Sequence, residues 1–178
     1  MSGTDASAPA VNTGADPLAA LRGRFAQGGR VQWIGLRPAR DVPMQVVAEA
    51  QAITGAGLVG DRYANASGKR GITLIQAEHL PAIAALVGRE RIDPALVRRN
   101  VVVTGCNLLA LIGRRFRLGS VLLEGTDICA PCARMEAALG NGGYSAMLGH
   151  GGITTRVLDG GVIALGDALQ LLTEADPA

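Results

Sequence analysis

Glycine is the strongest constraint on what this chain can fold into. It supplies 25 of 178 residues, without a collagen-like period, and this is about twice ordinary usage. Glycine is costly inside helices and useful where the backbone turns sharply, so this abundance favours short strands and tight turns over long helices. Aromatics are 3% and the hydrophobic fraction is 48%, so a core must be built from Ala, Val, Leu and Ile. A chain of this size buries about 70% of its unfolded surface, enough for one domain. The apolar content, with 18% charged residues, does not suit a disordered protein.

The opening MSGTDASAPAVNTGADP is small and polar, and residues 1–28 read as a disordered or loosely attached tail. Leu18–Phe25 reads as a short helix or part of that tail. Residues 29–174 read as a single β-barrel domain. RVQWIGLRP is a strand ended by Pro38. MQVVAEAQAITGAGLVGD is one long or two short strands, broken at Gly55 and Gly57. GITLIQ and RNVVVTG are strands, the second rich in β-branched residues. AEHLPAIAALVG is helical, and Asp93-Pro94 caps a helix in DPALVRR. RRFRLGSVLLEG and VLDGGVIALGDALQLL are strand pairs with glycine turns. Between them APCARMEAAL has helical spacing, and NGGYSAMLGHGG is a glycine-rich loop that could hold one helical turn. Strands do not alternate regularly with helices, so the fold is expected to be mainly β, a mostly antiparallel barrel with a few short helical insertions.

The N-terminus lacks the basic start and apolar stretch of a secretory signal, and no apolar run approaches the ~18 residues that span a bilayer. Three cysteines do not make a disulfide framework and suit a reducing compartment. A cytoplasmic protein without a membrane partner is expected. A net charge of +2 is too small for a general nucleic-acid binder. Positive charge is almost all arginine, Lys69 being the sole lysine, and guanidinium suits bidentate contact with phosphate or carboxylate. From Arg89 to Arg117 seven arginines face two acids, Glu90 and Asp93.

The sharpest local feature is Cys129-Ala130-Pro131-Cys132, directly after a strand. It reads as half of a zinc site that Cys106 and His150 would have to complete. It also reads as a dithiol redox motif at a helix start. A third reading makes Cys132 a thiolate serving as soft metal ligand or sulfur carrier, and a fourth makes both cysteines small buried hydrophobes. Arg98-Arg99-Asn100 at a helix-to-strand junction could bind an anion, or could be a solvated helix end. Gly57–Arg62, with Asp61 and Arg62, is a close backbone approach or simply a turn. Gly149–Gly152, carrying His150, is a loop able to cradle an anion, although it matches no phosphate-loop spacing.

In order, GLVGDRY, GITLIQAEHL, RRNVVVTGCNLLALIGRRFRLGSVLLEGTDICAPC and LGHGGITTRVLDGGVIALGD resemble the MOSC domain, the module named for the C-terminal domain of molybdenum cofactor sulfurases. The resemblance runs from about Trp33 to Leu172. It implies a β-barrel, which the strand count reaches independently. It also implies one functional cysteine, placed at Cys132 by the Pro-Cys pair, with Cys129 dispensable. Arg98 and Asn100 fall on an R-x-N element, implied to hold the pterin phosphate or the ligands around molybdenum. Asp61, Arg62 and His150 are further cofactor-binding candidates, His150 standing where this loop usually carries arginine.

The implied function is binding of molybdenum cofactor (molybdopterin), with Cys132 as metal ligand, or sulfur carriage. It extends to a reductase of N-hydroxylated compounds supplied by an electron-donor protein; a sulfur carrier would instead need a sulfur-donor protein. Pyridoxal phosphate is associated with the family only at that level. The alternative is a non-catalytic module for a phosphorylated small molecule or a protein partner. The chemistry is coherent, because molybdenum in a pterin dithiolene is soft and accepts a thiolate, while arginine forks bind phosphate. It requires the arginines of 89–117 to share a face with Cys132.

Overall fold

The computed structural model describes Leu18, Leu21 and residues 24–64 and 68–172, so the expected tail lies mostly outside the described residues. The strands are β1 (Gly29–Leu36), β2 (Gln45–Val47), β3 (Glu49–Ile53), β4 (Gly57–Leu58), β5 (Ile72–Gln76), β6 (Val101–Thr104), β7 (Arg115–Leu118), β8 (Val121–Ile128), β9 (Ile153–Asp159), β10 (Gly161–Ala164) and β11 (Ala168–Leu171). The helices are α1 (His79–Leu86), α2 (Pro94–Val97), α3 (Ala133–Leu139) and α4 (Gly143–Ala146), with a 3₁₀ turn at Leu108–Leu111.

The sheet order β11-β7-β8-β9-β5-β6-β1 closes on itself, because β1 pairs with both β6 and β11. The result is a closed seven-stranded barrel with a few short helices, as the glycine-punctuated strands predict. Closure removes the exposed edges that an open sheet would present. β5 and β6 form the parallel pair of this barrel, so their connection must cross over, and it carries α1 and α2. This pair is covered on both faces, which accounts for its unbroken apolar runs. Ile72, Leu74, Val101 and Val103 point into the barrel core around Phe116 and Leu123. Ile75 and Val102 point outward into a second core beneath the helices, with Ile83, Val97, Met135 and Met147.

Two elements depart from the sequence expectation. The segment 44–61 forms three strands in two sheets: β2 extends β1, while β3 and β4 join β10 in a separate sheet. A bend at Ala48 separates β2 from β3, and the alternating burial of β3 marks a strand with one face packed. The helix in DPALVRR is shorter than expected. Asp93 caps it through the Ala95 N–H at 2.9 Å, but it ends at Val97, and Arg98 takes a left-handed conformation with φ 54°. That reversal sends Arg98 and Arg99 in different directions and starts β6 immediately afterwards.

Gly152 and Gly55 separate two uses of glycine. Both have positive φ, +79° and +72°, but a Cβ on Gly152 would lie 1.9 Å from the Leu74 carbonyl oxygen, whereas one on Gly55 would meet nothing within 4 Å. Gly55→Ala is expected to cost about 1 kcal/mol, the price of the conformation alone. Gly152→Ala is expected to cost about 3 kcal/mol or more, because backbone must move as well. Urea unfolding of the two variants measures the difference.

Candidate functional site

The site grows from the end of β1. Arg37 follows the last β1 residue, and Pro38 prevents the strand from continuing. The Arg37 side chain is buried and forks onto Asp61, with Nε to Oδ2 at 2.9 Å and Nη2 to Oδ1 at 3.1 Å. The Arg37 backbone N–H donates to the same carboxylate at 2.9 Å, and the Tyr63 N–H adds a fourth bond at 3.0 Å. Asn100, fully buried at the start of β6, donates from Nδ2 to Asp61 Oδ2 at 2.8 Å and to the Gly35 carbonyl at 3.1 Å. Its Oδ1 accepts from Arg37, from the Thr73 N–H at 3.1 Å and from the Thr73 hydroxyl at 2.9 Å. Burial alone would raise the Asp61 pKa, but the Arg37 hydrogen bonds and charge, with the two backbone N–H groups, hold it below the usual carboxylate value.

The next residue back, Arg99, is also buried but meets only carbonyls. Its Nε donates to Gly151 at 2.7 Å, Nη1 to Val97 at 2.9 Å and Nη2 to Cys129 at 2.9 Å. One guanidinium thus clamps the cysteine loop to the glycine-rich loop. No described carboxylate pairs with it, and burial pushes its pKa down, with the sulfurs of Cys129 and Cys132 acting in the opposite direction. Arg98 donates from Nη1 to the Val42 carbonyl at 2.9 Å, while its Nη2 is enclosed without a hydrogen-bond partner among the described residues. Burial lowers the Arg98 pKa, and Arg134, Arg37 and Arg62 add like-charge repulsion.

These side chains meet in one cleft of about 90 Å³, lined by Arg37, Arg62, Arg98, Arg99 and Arg134 together with Tyr63, Cys132 and Met135. Cys132 is exposed and sits just before α3 in an extended conformation, φ −132° and ψ 173°. The Tyr63 ring packs against the guanidiniums of Arg37 and Arg62, 4.6 and 4.3 Å from its centroid. No carboxylate lines the cleft. Two of its arginines are paired with acids outside the lining, Arg37 with Asp61 and Arg134 with Asp41 at 3.2 Å.

A sequence profile of the MOSC domain matches residues 53–170. The chain belongs to the MOSC family. YuaD from Bacillus subtilis has a similar fold, with 19% identity, a TM-score of 0.72, and coverage of 82% of this chain and 96% of that one. YiiM from Geobacillus stearothermophilus follows at 17% identity and TM-score 0.68, covering 82% and 75% of the two chains. YiiM from Escherichia coli gives 19% identity and TM-score 0.62, covering 83% and 72%. At these identities the likeness is one of fold. No curated protein matches significantly.

Within this MOSC barrel Cys132, Arg98 and Arg62 line the cleft, while Asp61 and Asn100 stand behind it and reach it through Arg37. His150 does not line it. Its Nδ1 lies 3.0 Å from the Ala146 carbonyl, and its ring meets His79 edge-on at 5.2 Å. The expected arginine run from Arg89 to Arg117 does not share a face with Cys132 as a block. Only Arg98 and Arg99 reach the cleft, and the other guanidiniums come from Arg37, Arg62 and Arg134. The run is divided because Arg98 and Arg99 precede β6, whereas Arg115 and Arg117 lie on β7, a strand that does not neighbour β6 in the barrel. Arg37, Tyr63 and Arg134 escaped the sequence reading; Arg134, two residues beyond Cys132, was the most findable.

The zinc reading fails among the described residues, where no group of three or more His, Cys, Asp or Glu is placed to hold a metal. Cys106 is buried against Gly29, beside Leu169 and Val103, and burial, aided by the Glu78 charge, pushes its pKa up to about 11. At pH 8 only about 0.1% of such a thiol is thiolate, the reactive form. Iodoacetamide at pH 8 is therefore expected to label Cys132 well before Cys106, as followed by peptide mass mapping.

The depressed Asp61 pKa sets a pH dependence. A carboxylate whose pKa falls on folding adds stability above its unfolded value, near 3.9, and loses it as pH drops through the lower folded value. Asp61→Asn is expected to cost about 3 kcal/mol at pH 7, since it strands a buried guanidinium. The gap to the parent should narrow as pH falls below the unfolded carboxylate value and toward the lower folded one, because the parent's own carboxyl then takes up a proton. Urea titrations at pH 7 and pH 3 test both statements.

Proposed function

We propose that this MOSC barrel binds molybdenum cofactor at the arginine cleft, with Cys132 as the protein sulfur ligand to the metal. The observation that carries the reading is an exposed thiol sharing a cleft with five guanidiniums and no carboxylate. The donor set fits the cofactor: a thiolate suits a soft metal, and Arg62 and Arg98, which pair with no carboxylate among the described residues, suit a phosphate. The enclosed Arg98 Nη2 is a free donor on that wall. When bound, the cofactor supplies a redox-active metal able to take oxygen from a substrate such as an N-hydroxylated compound, with electrons from a partner protein.

The chain's residues divide the remaining work. Cys132 would hold the metal as a thiolate, its proton passing to solvent. Arg98, Arg62 and Arg134 face the anionic end. Arg99 fixes the loop 129–132 against Gly151 and so sets where the sulfur stands. Asp61 and Asn100 are positioning residues that hold Arg37 at the cleft wall.

The size of the cleft favours a second reading. About 90 Å³ is the room of about three waters, at roughly 30 Å³ each. That encloses a phosphate or the metal end of the cofactor, and the rest of a pterin would extend from the open mouth of the cleft. An exposed thiol beside so small an enclosure also suits a sulfur carrier, with a persulfide on Cys132.

A metal and sulfur inventory decides between them. Protein from a cofactor-competent host is expected to hold molybdenum near one per chain, falling at least tenfold in Cys132→Ala. Metal-free protein with cyanide-labile sulfur that vanishes in Cys132→Ala would establish the carrier. Equal molybdenum in both proteins would overturn ligation by Cys132. Arg98→Ala is expected to weaken cofactor retention more than Arg40→Ala, whose side chain is 75% exposed; equal losses would remove the arginine wall from the reading.

A further inference from the structure

We propose a second ligand site beside Lys69 and Arg70, taking a small phosphorylated compound that also carries hydroxyl groups. Its lining shares no residue with the Cys132 cleft. A cavity of about 400 Å³ opens there along β8 and β9, with Lys69, Arg70 and Arg156 on its wall beside Glu124 and Asp127. Arg156 is paired with Glu124 at 3.2 Å, but Lys69 and Arg70 are exposed and have no carboxylate partner among the described residues. Two adjacent unneutralised cations on the wall of a cavity form an anion site.

The site is built rather than incidental. β8 carries a bulge between Gly125 and Asp127, so Thr126 has no partner residue in the β9 ladder. Its hydroxyl donates to the Lys69 carbonyl at 2.7 Å and lies 2.8 Å from the Thr154 hydroxyl. Bulges commonly re-aim a side chain beside a binding site; this one ties down the backbone from which Lys69 and Arg70 project. Gly113 and Gly125 leave part of the wall as bare backbone. The volume equals about thirteen waters at roughly 30 Å³ each, room for a sugar phosphate. Asp127 and Glu124 accept hydrogen bonds from hydroxyls, while Lys69 and Arg70 take the phosphate.

Lys69 is the sole lysine of the chain, so its amine reports on this cavity alone. The probe is ribose 5-phosphate, with ribose and sodium sulfate at matched ionic strength as controls. Ribose 5-phosphate is expected to slow acetylation of Lys69 at least fivefold, relative to a lysine peptide added to the same reaction, while neither control does. Calorimetry is expected to show at least tenfold weaker binding in the double variant Lys69→Ala, Arg70→Ala. Unchanged affinity is expected in Cys132→Ser and Arg98→Ala. Absence of binding, equal protection by sulfate, or unchanged affinity in the double variant would each overturn the site. Loss of binding in Arg98→Ala but not in the double variant would place the phosphate in the Cys132 cleft instead. Circular dichroism confirms that each variant is folded.

Discussion

The Arg37–Asp61 ion pair is the constraint around which the rest of the site is arranged. Removing both charges from water costs several kcal/mol per ion, and their attraction offsets this only when every remaining donor and acceptor is filled. Here the carboxylate accepts five hydrogen bonds: three from Arg37, one from Asn100 and one from Tyr63. Asn100 in turn bonds β1 through Gly35 and β5 through Thr73. The network therefore joins the end of β1, the turn after β4, the start of β5 and the start of β6. An apolar substitute of the same volume could be as stable, but it would not fix the direction of Arg37. The pair contributes position more than stability.

Position matters because the cleft is cationic and does not neutralise itself. Arg99 lies in the protein with carbonyl dipoles for company and no carboxylate, so its charge is only partly compensated. Lysine in that place could shed its proton on burial; arginine does not. A fixed positive field beside an accessible sulfur follows. The contrast with Cys106 shows that environment, not residue type, makes the difference. The same thiol buried behind Gly29 is driven toward its neutral form and left chemically quiet.

Much of this was legible in the chain itself. Glycine turns and β-branched runs predicted short strands and a barrel, and Asp93-Pro94 predicted the start of α2. The resemblance to the MOSC domain, through the Pro-Cys pair, pointed to Cys132, which is the exposed cysteine of the three. Two things were hidden. Charge density along the sequence suggested that the arginines from 89 to 117 act together, but barrel closure sends Arg115 and Arg117 to β7 and recruits Arg37 and Arg62 from much earlier in the chain. Linear proximity predicts spatial proximity within a helix, not across a barrel of non-local pairings. Nor could the sequence show that Asp61 and Asn100 lie behind the cleft, because burial of a polar residue depends on partners from other strands.

Glycine completes the argument, because its role at the site goes beyond turning. The three carbonyls bound by Arg99 come from α2, from the cysteine loop and from the glycine-rich loop. For the two loops to meet over one guanidinium, their backbones must come closer than side chains permit. A Cβ on Gly151 would lie 2.3 Å from the Cys129 carbonyl oxygen and 3.1 Å from Arg99 Nη2. The first distance is shorter than any tolerated contact with a carbon, so a side chain there would force the Cys129 carbonyl off the guanidinium. The direction in which Cys132 faces the cleft thus depends on an absent side chain nineteen residues later in the sequence, as much as on the charged residues around it.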